Sequence, residues 1–304
     1  MNQFLGPEAF YREITEKLTQ RLGDGTHAQY RRISKNNGVF MNAVVVGGER
    51  KIRPTIYLDG YYEEYCEGRP GEDIVEEIAK VYRDHILSDD NMMDFFTDFA
   101  RVRERICYRL VNTARNEKML REVPHREFLD LSLVYYYMLD EDLLSSGSIL
   151  LKNEHLDLWK VTEEELFGLS TQNTKKLLPA ECISILSMLR STGCELPEWD
   201  EEAAQTLPMY VLSNEKRVCG AACMLYEKFR DILPVKCDYY ILPSSIHELI
   251  LLPKDSLPEG QNLNELVKQV NDSQVPPWEI LSDSVYYYDY EKNTITLPSQ
   301  KSIA

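Results

Sequence analysis

The chain has 304 residues, enough for two domains at about 150 residues each, and its 43% apolar and 10% aromatic content is that of a globular protein rather than a disordered one. A net charge of −16 argues against nucleic acid and anionic membranes as partners, because binding phosphate depends on Lys and Arg displacing counterions. The first twenty residues carry charge throughout, no later run approaches the ~18 apolar residues of a membrane span, and the seven cysteines include no Cys-x-x-Cys pair. The expectation is a cytosolic protein with free thiols and no bound metal or cofactor.

Gly6-Pro7 opens a segment in which Phe10, Ile14, Leu18 and Leu22 recur every fourth residue up to Gly23, the pattern of an amphipathic helix with one face on a sheet. Asn37-Gly38 between two β-prone runs predicts a two-residue hairpin, since a type I′ turn needs φ > 0 twice. "PTIYL" reads as a short strand leading into a helix near Asp59. A longer helix follows Gly71, with Ile74, Ile78, Val81, Tyr82 and Ile86 on its buried stripe and an acidic outer face.

From Ile106 the pattern changes to strands: "ICYRLVN", "FLDLSLVYYYMLD" and "SGSILLK", the last two joined near Ser145-Ser146-Gly147. Thr162-x-x-Glu165 is a capping-box pattern and predicts a helix to about Leu178. The acidic run at residues 195–202 reads as an exposed connection. "LPMYVL" then reads as a strand, and Val218, Ala221, Ala222, Leu225, Phe229 and Ile232 as a helical stripe. Two strands in "YYILPSSIHELILLP", a helix in "NLNELVKQVN" and a hairpin turning near Lys292-Asn293 complete the chain. The fold class predicted is α+β, with mixed or antiparallel sheets and packed amphipathic helices in two lobes, residues 1–105 and 106–304.

Chemistry is sought first in "SSIHE". Ser244 or Ser245 as nucleophile, His247 as base and Glu248 as orienting carboxylate would make a hydrolytic triad. Neighbouring residues of a strand leave on opposite faces, however, so His247 and Glu248 would not meet, and no Gly-x-Ser-x-Gly elbow is present. Pro243 fixes φ and removes a donor, and serines suit a turn, so this stretch is read as the place where the chain reverses. Leu251 stands where a zinc-protease motif needs its second histidine. Asp89, Asp90, Asp94 and Asp98 lack the spacing of a calcium loop, and Cys219 and Cys223 read as small core residues. No nucleotide-binding loop occurs.

"KNNG", "PTIYL", "VPHREFLDLSLVYYY", "NEHLDLW", "QNT", "LPSSIHELILLP" and "LSDSVYYYDY" together resemble a domain-of-unknown-function family of Gram-positive anaerobic bacteria across nearly the whole chain. More distantly, Ile106 to Pro253 resembles the YtpQ-like proteins in the order of its elements. The resemblance implies a bacterial cytosolic protein. It makes the two turns, Asn36, Asn37 and Gly38, and Ser244, Ser245, His247 and Glu248, candidates for a shared binding surface. Absence of a catalytic constellation leads to the expectation of a binding or regulatory module that recognises another protein. The rival expectation is a hydrolase-like small-molecule enzyme using residues 244–248.

Overall fold

The computed structural model describes residues 4–23, 25–47, 55–84, 96–139, 148–191, 208–257 and 262–298. These form two compact units, one within Met1–Val102 and the other from Arg103 onward.

In the first unit, Pro7 starts helix α1 (Pro7–Leu22), where its missing N–H leaves no bond unmade, and Gly23 at φ 80° ends it. A three-stranded antiparallel sheet follows, β1 (Ala28–Ser34), β2 (Phe40–Val46) and β3 (Thr55–Tyr57), in that spatial order. Helices α2 (Asp59–Cys66) and α3 (Gly71–Asp84) complete the unit. The four-residue spacing of Phe10, Ile14 and Leu18 puts all three on one face of α1, packed with Val44, Val46, Leu58, Ile74 and Ile78 into one core. Above that core Lys17 bridges to Glu72 at 2.7 Å and Arg21 pairs with Glu76, so part of the acidic face of α3 is neutralised by α1. Tyr82 of the predicted stripe of α3 is also buried, Val81 is only half-buried, and Ile86 lies outside the described residues.

The second unit holds two antiparallel sheets. In the first, β4 (Ile106–Asn112) flanks β6 (Leu131–Met138) on one side, and β5 (His125–Phe128) and β7 (Ser148–Leu150) share its other side. Helices α4 (Asn153–Trp159) and α5 (Glu163–Leu177) follow. Seven of the eight residues of β6 are buried, the two-faced burial of a central strand that its apolar run predicts. The capping box forms as read: Thr162 Oγ1 accepts the Glu165 N–H at 3.2 Å, and the Glu165 carboxylate accepts the Thr162 N–H at 2.7 Å.

The second sheet has six strands in the order β13-β12-β10-β11-β9-β8. They are β8 (Ala180–Ser184), β9 (Tyr210–Asn214), β10 (Tyr239–Pro243), β11 (Leu249–Pro253), β12 (Tyr286–Asp289) and β13 (Thr294–Thr296). Helix α6 (Ile185–Ser191) follows β8, and helix α7 (Leu263–Ser273) lies between β11 and β12 in the chain. The architecture is α+β with every strand pairing antiparallel.

Strand β8 and helices α4 and α6 go beyond the sequence reading, and two further stretches differ from it. The strand read from Phe128 to Asp140 is broken by a two-residue turn at Leu129-Asp130, with Leu129 at φ 57°, which creates the β5–β6 hairpin. A leucine in the left-handed region gives no sequence signal of the kind Gly or Asn would. The stripe from Val218 to Ile232 is not one helix but a 3₁₀ segment (Gly220–Leu225) and a single turn (Phe229–Ile232), separated by extended Tyr226. The predicted joint at Ser145-Ser146-Gly147, the connection at residues 195–202, and Asp89, Asp90 and Asp94 lie outside the described residues.

Candidate functional site

Residues 244–248 form the loop between β10 and β11, closed by the Pro243–Leu249 pair and by the Ser245 N–H donating to the Glu248 carbonyl at 3.2 Å. His247 and Glu248 therefore lie in the turn and not in a strand, because β11 begins only at Leu249. The Ser244 hydroxyl donates to Glu248 Oε1 at 3.3 Å, and Ser245 Oγ accepts the His247 N–H at 3.0 Å. The backbone of the loop is tied down from outside. Ser213 Oγ donates to the His247 carbonyl at 2.8 Å, the Ala221 N–H to the Ile246 carbonyl at 3.3 Å, and the Ile246 N–H to the Glu279 carbonyl at 2.8 Å.

The imidazole of His247 is held between two residues distant in sequence. Its Nδ1 accepts the backbone N–H of Cys219 at 3.2 Å, and its Nε2 stands 4.0 Å from Glu279 Oε1. A neutral ring with Nδ1 accepting carries its proton on Nε2, so its one lone pair is already committed to Cys219. His247 in this position is no base for Ser244 or Ser245, and the carboxylate beside it is Glu279 rather than Glu248. The triad is not assembled. Sequence reading missed the contacts of Cys219 and Glu279 with His247 because only the fold brings them to the loop.

Behind the loop lies a group of thiols. Burial pushes Cys107 and Cys223 up to about 12, and it raises Cys219 as well, where the Arg109 guanidinium opposes it. Thiols so raised stay protonated at neutral pH and act as small core residues, as read for Cys219 and Cys223, rather than as nucleophiles. Among the described residues no cluster of three or more His, Cys, Asp or Glu is placed to hold a metal ion. No described helix is long and apolar enough to cross a membrane.

The other candidate turn belongs to the first unit. Asn37 (φ 60°) and Gly38 (φ 67°) both take the left-handed conformation that a type I′ turn would require. The Lys35 N–H, however, donates to the Val39 carbonyl at 2.7 Å, so the loop comprises three residues, Asn36–Gly38, and not two. That extra residue sets which backbone groups of β1 face outward. With the 35↔39 and 27↔47 pairs hydrogen-bonded (Lys35 N–H to Val39, Gly47 N–H to His27), the odd-numbered residues of β1 bond to β2. The N–H and C=O of Ala28, Tyr30, Arg32 and Ser34 point away from the sheet.

Strand β1 is the end strand of its sheet, and among the described residues only its outward Ala28 N–H is taken up, by Thr19 Oγ1 at 3.2 Å. Among the described residues nothing bonds the outward N–H of Tyr30, Arg32 or Ser34. The corresponding strand of the second unit is treated otherwise. On end strand β4, the Tyr108 N–H donates to Thr174 Oγ1 at 3.0 Å, and the Asn173 side-chain amide donates to the carbonyls of Arg103 and Ile106 at 2.7 and 3.0 Å. Helix α5 thus covers one edge, while β1 keeps a run of open backbone.

Residues 7–290 match the family of unknown function DUF5688, and the chain belongs to that family. No curated protein and no solved structure matches it.

Proposed function

We propose that the protein works by recognising another protein, which adds an extended segment as a further strand to the outer edge of β1. The observation that carries this reading is the unbonded outward backbone of Tyr30, Arg32 and Ser34 on an end strand. Main-chain hydrogen bonds from such an edge give affinity, and the alternating side chains give selectivity. The β10–β11 loop supports the same reading from the other side: its serines, histidine and glutamate are spent on holding the loop, which leaves the hydrolase-like rival without a base. The setting we propose is the cytosol of a Gram-positive anaerobe. The YtpQ-like order of elements from Ile106 to Pro253 is taken as a distant relationship of the second unit.

Capture of tagged protein from nuclease-treated native cytosol tests this when run beside a Ser34→Pro variant. Proline at this position removes one outward donor and leaves the β1–β2 bonds in place. Retention of a stoichiometric protein by the wild type and its loss from a Ser34→Pro variant with an unchanged thermal melt is the expected result. Equal retention by both, or no protein retained by either, overturns the reading.

A further inference from the structure

The cations of β1, and Lys35 just beyond it, differ from most of those around them, although Lys80 on α3 also makes no ion pair among the described residues. In the same unit Arg12, Lys17, Arg21, Arg69 and Arg83 each pair with a glutamate. Arg31 instead donates to the neutral Gln29 amide at 3.0 Å, Arg32 lies 5.3 Å from the Phe40 ring centroid, and the Lys35 ammonium 3.8 Å from that of Tyr57. None of the three forms an ion pair among the described residues. No Asp or Glu occurs between Asp24 and Glu49, in a chain that carries 50 of them. Three uncompensated charges on an acidic protein thus coincide with its open strand edge.

We infer that the segment added to β1 is acidic. This rests on the strand-addition reading above and specifies its partner. Arg31 and Arg32 are successive strand residues and project on opposite faces, so carboxylates at either alternation of an incoming strand find a cation beside them. Self-association through this edge is disfavoured by the same charges, because two copies of β1 side by side would set arginines against arginines. A nucleic acid would meet the three cations but has no extended row of N–H and C=O groups to pair with the open backbone of β1, and the partner chosen is therefore a polypeptide.

The test is fluorescence anisotropy of the full chain with two labelled heptapeptides, one of alternating Glu and Val, the other with Gln for every Glu. The expected result is that the Glu peptide binds a few-fold more tightly at low salt, roughly fivefold, the scale of the one or two exposed ion pairs that one face of an alternating strand can make. That advantage should shrink at ~1 M salt, where the Debye length is about 3 Å. Arg31→Glu with Arg32→Glu should abolish the advantage, and Ser34→Pro should weaken both peptides. Equal binding of the two peptides, still lost with Ser34→Pro, overturns the acidic partner and leaves strand addition standing. Binding of the Glu peptide that ignores Ser34→Pro, or no saturable binding of either peptide, overturns strand addition and the inference with it. A thymidine oligonucleotide that binds more tightly than the Glu peptide overturns the choice of a polypeptide.

Discussion

Thr174 on helix α5 accepts the backbone N–H of Tyr108 on strand β4 at 3.0 Å, and both residues are about 1% exposed. The bond does for an end strand what a neighbouring strand would do, and the adjacent Asn173 supplies two more. Replacing Thr174 by isosteric Val keeps the volume but strands a buried N–H, at a cost of about 2 kcal/mol. Urea unfolding should show a lower midpoint at unchanged slope for Thr174→Val, and Thr174→Ser should recover most of the loss.

Gly220 sits where no side chain fits. A Cβ there would be driven into the Ser213 hydroxyl and the His247 carbonyl oxygen and would lie 2.8 Å from Ser213 Cα. Two of these three obstacles are backbone atoms, so rotating a side chain cannot relieve the clash. Gly220→Ala should cost about 3 kcal/mol or more and loosen the β10–β11 loop, since Ser213 and the Ala221 N–H both hold that loop. Amide exchange at Ala221, faster relative to the β4 amides than in the wild type, would report it.

How much of this was legible in the sequence depended on whether the signal was local. Phe10, Ile14 and Leu18 at four-residue spacing, the Thr162–Glu165 capping box and the Pro243-Ser244-Ser245 turn each carry their instruction within a few residues, and each appears as read. The Leu129 turn was hidden because nothing in "FLDLSL" marks a positive φ, and the 218–232 stripe misled because its apolar spacing suits a helix while Gly220 is pressed against β9. In the candidate site, the residue types of the 244–248 loop were plain but their partners were not. Cys219 and Glu279 reach His247 only through the fold, and the open edge of β1 follows from a register that one additional loop residue decides. The acid-free stretch from residue 25 to 48 was the available signal for that edge.

Acid sensitivity should come from carboxylates held in their charged form. Burial pushes Glu163 up, but Arg126, at 2.7 and 3.0 Å, and the Tyr135 hydroxyl outweigh it and hold the carboxyl below its usual range. The Tyr287 hydroxyl and the Tyr290 N–H do the same for Asp238. A carboxyl lowered in the folded state contributes stability above its unfolded value, about 4, and loses it as pH falls through the folded one. The urea midpoint should therefore hold between about pH 6 and 5 and drop below about pH 4. In Arg126→Met the burial is no longer outweighed, so the urea midpoint should be lower near pH 6 and Glu163 should no longer add to the loss below about pH 4.

The alkaline limb runs the other way and separates the cysteines. Cys107 and Cys223 are raised by burial to about 12, against about 8.5 for a free thiol, so their contribution is complete below about pH 8.5 and is lost as pH climbs towards the folded values. The same burial keeps the thiolate scarce and the sulfur out of reach at neutral pH, and Cys223 Sγ lies 3.2 Å from the Ser213 carbonyl oxygen. Cys66, by contrast, is exposed. Titration with an aromatic disulfide reagent near neutral pH should accordingly label Cys66 in a fast phase, and Cys66→Ser should remove one equivalent of it. Cys107, Cys219 and Cys223 should react only on the timescale of unfolding, so stabilising the fold with an osmolyte should slow their labelling and leave that of Cys66 unchanged. Fast labelling of Cys219 in the folded protein would contradict its placement as a core residue and reopen the β10–β11 loop as a site of thiol chemistry.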